Sequence, residues 1–134
     1  MSKILILDDD HAFGDLTRRR LERQGFNVQV HASAHGAMDS LLRGGFDLVI
    51  LDVKMPGLTG TDVIQLIRRS SNGDVKVMFY SSSDTQELRK LAEQHGAQGF
   101  LTKTATTGEL EFRVRELLGA PRSSGKASQR LPRA

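Results

Sequence analysis

The feature that most constrains this chain is a strict alternation. Five short apolar runs are each followed by a segment whose apolar residues recur at helical spacing. Residues 3–7 read as a buried strand. Residues 12–24 read as a helix with Phe13, Leu16, Thr17 and Leu21 on one face, closed by Gly25. Residues 26–31 alternate Phe26, Val28 and Val30 with polar positions, as a half-exposed strand does. Ser33 is placed to cap a second helix with Ala34, Ala37, Met38, Leu41 and Leu42 inward, stopped at Gly44-Gly45. Residues 46–51 form a central strand, and Met55-Pro56-Gly57 a turn. The pattern then repeats. Residues 61–69 are helical through Val63, Ile64, Leu66 and Ile67, and residues 71–74 are a loop. Residues 75–80 are a strand, and 84–95 a helix with Leu88, Leu91 and Ala92 on one stripe. Ser83 and Gln86 stand at capping-box spacing before that helix, and Gly96 ends it. Residues 99–102 are a fifth strand. Thr106 and Glu109 open a last helix with Leu110, Val114, Leu117 and Leu118 inward.

Strict alternation of this kind implies a parallel sheet with helices on both faces. Right-handed crossovers leave few topologies, and the flavodoxin-like (βα)5 doubly wound five-stranded sheet, order 2-1-3-4-5, is the common solution. One domain over residues 1–119 is expected. A basic tail over 120–134, rich in Ser, Arg, Gly and Lys, is read as disordered. That tail explains the formal charge of +3: without Arg122, Lys126, Arg130 and Arg133 the body has 15 basic and 16 acidic residues. A nearly neutral body argues against direct DNA binding by the domain. The chain has no cysteine, so disulfides and thiolate metal sites are excluded. The first residues lack the apolar core of a signal peptide, and no apolar run reaches the roughly 18 residues of a membrane span. A cytoplasmic protein without membrane insertion is expected.

In such a sheet, ligands bind beyond the carboxyl ends of the strands, at the switch in strand order. The polar residues of this sequence collect there. Strand one ends in Asp8-Asp9-Asp10, strand three in Asp52, strand four in Ser81-Ser82-Ser83 and strand five in Thr102-Lys103. Strands one and three are neighbours in the expected order, so Asp8, Asp9 and Asp52 converge. Carboxylates so placed repel one another, and a hard divalent cation relieves the conflict. Magnesium is held by one or two carboxylates plus phosphate, so a partial Mg2+ site completed by phosphate is expected. Lys103 adds a positive charge and Ser81 a hydroxyl. Together they can neutralise the oxygens of a transferring phosphoryl group, while a carboxylate can serve as nucleophile and become an acyl phosphate.

These pieces resemble the receiver domain of two-component response regulators. The match is carried by Ile-Leu-Ile-Leu-Asp8-Asp9-Asp10, Leu-Val-Ile-Leu-Asp52-Val-Lys-Met-Pro56-Gly57, Val-Met-Phe-Tyr-Ser81-Ser82, and Gly96-Ala97 followed by Gly99-Phe100-Leu101-Thr102-Lys103. It covers residues 3–119 in family order. The resemblance implies that Asp52 is the phosphoacceptor, that Asp9 ligates the metal directly, and that Asp8 acts through water. It further implies the Lys54 backbone carbonyl as a ligand, Ser81 and Lys103 as phosphoryl contacts, and Ser81 and Phe100 as the switch pair. The implied partners are a histidine kinase or phosphotransfer protein and a downstream protein target, reached by the face of helix four, strand five and helix five. A monomer or weak dimer is implied. So is a signalling module that catalyses only its own phosphoryl transfer and slow autodephosphorylation.

Two departures stand out. Thr104 follows Lys103 where the family usually has proline, often after a cis bond. Phe100 replaces a frequent tyrosine and has no hydroxyl. The first motivates an alternative, a degenerate receiver acting as a phosphorylation-independent interaction module. An aspartate-nucleophile hydrolase would need a second aspartate at position 54, which is lysine. A DNA-binding output would need more than the 15 residues after the last helix, so a protein–protein output is expected unless the chain is a fragment of a longer protein. Each residue also has a plainer role open to it. The aspartates could neutralise a helix N-terminus, Asp52 could serve a turn, Lys103 could be a surface lysine and Phe100 core packing. His11, His31, His35 and His95 are expected to be surface histidines. Phe112, off the inward stripe, is a candidate partner contact.

Overall fold

The computed structural model describes residues 2–55, 60–71 and 75–119. Five strands and five helices alternate: β1 (Lys3–Leu7), α1 (His11–Arg23), β2 (Asn27–His31), α2 (Ala34–Arg43), β3 (Leu48–Leu51), α3 (Gly60–Ser71), β4 (Lys76–Ser81), α4 (Thr85–His95), β5 (Gly99–Thr102) and α5 (Thr107–Leu118). All strand pairs are parallel, in the order β2-β1-β3-β4-β5. The flavodoxin-like architecture expected from the alternation is therefore the one observed. The expected turn at 56–57, the loop at 72–74 and the tail at 120–134 lie outside the described residues.

Side chains alternate across the strands, so one sheet makes two cores. Leu5, Leu7, Val49, Leu51, Val77 and Phe79 face α2, α3 and α4. Ile4, Ile6, Leu48, Ile50, Met78, Tyr80 and Leu101 face α1 and α5. β3 is buried at all four positions, which its unbroken Leu-Val-Ile-Leu run requires. Fully burying each such side chain contributes about 1.5–3 kcal/mol.

The helix faces correct two expectations. Leu16 is exposed, as are Met38 and Leu42. In α1 the inward line runs through Phe13, Thr17 and Leu21. Leu16 lies one residue, about 100°, round from Thr17. In α2, Ala37 and Leu41 are buried, and Met38 and Leu42 form a second stripe one step round. The cap of α4 is also corrected. Asp84, not Ser83, accepts the Glu87 N–H at 2.8 Å, while Ser83 is buried. Aspartate brings both a strong cap and a favourable charge at the helix N-terminus, so it wins over the serine one position earlier. Elsewhere the caps are as expected. Ser33 caps α2, and Thr106 with Glu109 forms the capping box of α5. Gly96 closes α4 at φ 76°, a left-handed conformation that glycine adopts without strain.

Candidate functional site

Three backbone hydrogen bonds extend the ladder one residue past the strands. Asp8 N donates to the His31 carbonyl at 3.1 Å, Asp52 N to the Leu7 carbonyl at 3.0 Å, and Lys103 N to the Ser81 carbonyl at 2.8 Å. The register pairs Leu7 with Leu51 and Ser81 with Thr102. The next residues, Asp8, Asp52 and Lys103, therefore leave adjacent strand ends from fixed backbone. Carboxylate oxygens of Asp8, Asp9 and Asp52 lie within 4.8 Å of one another. Lys103 Nζ bridges two of them, 2.9 Å from Asp8 Oδ2 and 3.0 Å from Asp52 Oδ2. Asp8 is 3 % exposed and Asp52 7 %, while Asp9 faces solvent.

The two buried carboxylates are not equivalent. Burial pushes the Asp8 carboxyl above the usual aspartate range, against the hydrogen bonds and charge it receives from Lys103 and the Asp10 N–H. Burial also acts on Asp52, but there it is outweighed. The Lys54 N–H at 3.0 Å, Lys103 and the neighbouring Ser81 hydroxyl hold its carboxyl below the ordinary value. Lys103 stays firmly cationic: desolvation lowers its pKa, but its bonds to Asp8 and Asp52 raise it further. Ser81 Oγ is completely buried and has no hydrogen bond of normal geometry, although it lies close enough to Asp52 to act on its charge. An orphaned buried hydroxyl beside paired carboxylates is a group that an added oxygen-bearing ligand would satisfy.

The residues expected at the strand ends thus separate into several roles. Asp8, Asp9, Asp52 and Lys103 meet. Ser81 lies beside Asp52. Asp10 does not join them; its side chain accepts the Phe13 N–H at 3.0 Å and caps α1. Lys54 offers its N–H to Asp52, and its own side chain is exposed. The peptide bond between Lys103 and Thr104 is trans, and Lys103 reaches both carboxylates regardless. Phe100 is half-buried against the α2–α3–α4 core. The Arg89 guanidinium lies 5.8 Å from its ring centroid, and its carbonyl accepts from Arg113 Nη1 at 3.4 Å. Phe100 lines a cavity of about 280 Å³ with Thr85, Thr102, Thr104, Glu109 and Arg113. Phe112 is 65 % exposed. His31 is engaged, with Nε2 3.0 Å from Ser40 Oγ.

One neighbour escaped the sequence reading. Phe13, read only as a core residue, places its ring centroid 4.6 Å from Lys103 Nζ. Its position in the first turn of α1, directly after the acidic run, is the signal that puts it at this end of the sheet.

An all-oxygen set of three carboxylates suits a hard divalent cation such as Mg2+. Asp8, Asp9 and Asp52 would hold it. No helix among the described residues is long and apolar enough to cross a membrane.

Comparison with known proteins identifies the family of the fold that carries this site. A family model described as the response regulator receiver domain matches residues 4–115. The sensory transduction protein RegX3 of Mycolicibacterium smegmatis is 30 % identical over 118 residues, covering 88 % of this chain and 51 % of its own length. The transcriptional regulatory protein CpxR of Escherichia coli K12 is 36 % identical over 118 residues, covering 88 % and 50 %. The chain therefore spans about half the length of these curated relatives. Among solved structures, a response regulator receiver protein from Burkholderia phymatum superposes with a TM-score of 0.78 at 32 % identity, covering 90 % of this chain and 99 % of that one. A CheY-like receiver domain protein from Methanospirillum hungatei gives a TM-score of 0.78 at 26 % identity, covering 88 % and 94 %.

Proposed function

The chain belongs to the response-regulator receiver family of two-component systems, and on that premise we propose that it is a cytoplasmic switch set by phosphorylation of Asp52. The observation that carries this reading is the meeting of three carboxylates within 4.8 Å under one buried ammonium. Such a site is built to accept a dianion with a divalent cation. A bound Mg2+ would supply positive charge against the phosphoryl oxygens.

The chain's own residues perform the rest. A histidine kinase or phosphotransfer protein presents a phosphohistidine. An Asp52 carboxylate oxygen attacks phosphorus, the P–N bond breaks, and the imidazole leaves with its electron pair and takes up a proton. Asp52 is suited to this because the Lys54 N–H, Lys103 and Ser81 outweigh the burial that, at Asp8, pushes the carboxyl up. Asp8, Asp9 and the Lys54 carbonyl are the remaining metal ligands in this reading. Lys103 trades its bond to Asp52 for one to a phosphoryl oxygen, and the Ser81 hydroxyl finds in another oxygen the partner it lacks. The product is an acyl phosphate, which water hydrolyses slowly, so the module is a self-modifying switch and no general phosphatase. Output passes by protein–protein contact through the α4–β5–α5 face, with Ser81 and Phe100 as the moving pair, and no direct DNA contact by this domain. The domain works as a monomer or weak dimer.

The test is Mg2+-dependent labelling. A small phosphodonor, or beryllofluoride with Mg2+, should modify the wild-type chain and leave Asp52→Asn unmodified. No mass gain in the wild type, or equal gain in Asp52→Asn, overturns the reading. A titration showing no Mg2+ binding would favour the phosphorylation-independent module instead.

A further inference from the structure

Lys103 has four rotatable side-chain bonds and stands in a turn after β5, so its ammonium needs more than its backbone to fix it. Three groups surround that ammonium: Asp8 Oδ2 at 2.9 Å, Asp52 Oδ2 at 3.0 Å and the face of the Phe13 ring at 4.6 Å. The ring is itself held. It packs on Tyr80 with centroids 5.3 Å apart and planes at 51°, and Tyr80 is 2 % exposed. Tyr80 gains nothing from its hydroxyl, which is buried without a partner, so the aromatic ring is what the position uses.

We infer that Phe13 is a positioning residue for phosphoryl transfer, holding the Lys103 ammonium over the site through its ring face with Tyr80 as backing. This rests on the reading of Asp52 as phosphoacceptor. The physical reason lies in what changes when the site fills. Both carboxylates that hold Lys103 are then shared with a cation and a phosphoryl group, so their pull on the ammonium falls when its place counts most. The ring's attraction for a cation comes from its quadrupole, which neither ligand consumes. Lys103 is only 15 % exposed, so water competes weakly for it there.

The experiment uses the full chain with Mg2+ and a small phosphodonor, reading the rate of Asp52 labelling against donor concentration. Phe13→Leu should lower the maximal rate about three- to thirty-fold, with donor KM and Mg2+ affinity within twofold. Phe13→Trp should restore it. Phe13→Met, unbranched, carries the same expected loss and guards against a folding defect in the leucine variant. In a Lys103→Ala background, Phe13→Leu should cost nothing further, because its effect acts through the lysine. Independently of labelling, the Lys103 ε-methylene protons should be ring-current shifted upfield in wild type and return in Phe13→Leu. A wild-type rate in both Phe13→Leu and Phe13→Met, a loss that persists without Lys103, or unshifted ε protons would overturn the inference while leaving the phosphoacceptor reading intact. An unlabelled wild type would overturn that reading, and the role of Phe13 in transfer with it.

Discussion

The two ends of the sheet are made of similar parts and solve opposite problems. At the amino end, polar groups are satisfied within the protein. Lys3 N donates to Asp47 Oδ2 at 2.8 Å, Val77 N to Gln98 Oε1 at 2.8 Å, and Lys76 Nζ to the Leu117 carbonyl at the end of α5 at 2.8 Å. At the carboxyl end, like charges are driven together in partly desolvated surroundings, and Ser81 Oγ is left without a partner. Each end also has a lysine ammonium 4.6 Å from a phenylalanine ring: Lys3 over Phe46, and Lys103 over Phe13. The contact is the same and the neighbours differ. In the proposed reading the cation among buried carboxylates is a functional group, while the half-buried Lys3 is a lid on an apolar ring. Position at the switch in strand order, rather than residue type, separates them.

The largest expected effect sharpens that contrast. Lys103→Ala removes the cation that bridges Asp8 and Asp52 and with it, on the proposed reading, a preorganised charge facing the phosphoryl oxygens. The labelling rate should fall about 10²–10³-fold, as when one transition-state donor is deleted elsewhere. An initial-rate assay with a small phosphodonor and Mg2+ reads it. A loss under tenfold would mean that Lys103 plays a structural part, as Lys76 does on the Leu117 carbonyl.

A second effect divides the carboxyl end itself. In EDTA, Asp8 and Asp52 should answer pH with opposite signs. The folded pKa of Asp8 is raised, so its ionisation costs stability as pH climbs from the ordinary aspartate value through the folded one. Asp8→Asn should therefore be more stable than wild type at pH 7, and the gain should shrink as pH falls toward 4. The folded pKa of Asp52 is depressed, so its carboxylate contributes stability above the ordinary aspartate value, lost as pH falls through the folded pKa. Asp52→Asn should be less stable at pH 7, with the deficit closing in acid. Urea midpoints across that range check both. Two variants shifting the same way would show that the pair titrates as a unit.

How much of this was legible follows from what each property depends on. The alternation of apolar runs fixed element order and parallel pairing, because a strand buried on both faces, such as Leu48–Leu51, has to be apolar throughout. Strand order then brought Asp8, Asp52 and Lys103 to one edge, since each stands one residue past a strand end. Finer matters turned on competition between neighbours. Ser83 reads from the sequence as the cap of α4, but Asp84 one position later, with its carboxylate at the helix N-terminus, holds that place. Met38 and Leu42 match a helical period but lie one step off the buried line of α2. The Phe13 contact was out of reach for a different reason. Periodicity says that a ring points inward, but not that the inward neighbour at the end of α1 is the ammonium of a residue 90 positions away.

The smallest expected effect tests whether the two ends are independent. Lys3→Ala keeps the Lys3 backbone N–H on Asp47, because that bond does not involve the side chain. What it removes is an ammonium and an aliphatic stem over Phe46, a ring only 5 % exposed. A solvent-accessible cation–π pair with its stem contact is worth about 0.5–1 kcal/mol. The urea midpoint should fall by that amount, with the slope unchanged. The labelling rate of Asp52 should stay within twofold, since residues 3 and 7 are separated by roughly 13 Å of strand and distant sites act additively. If the rate instead fell tenfold, the amino end would be helping to set the strand that presents Asp8, and the separation drawn here between a structural end and a chemical end would fail.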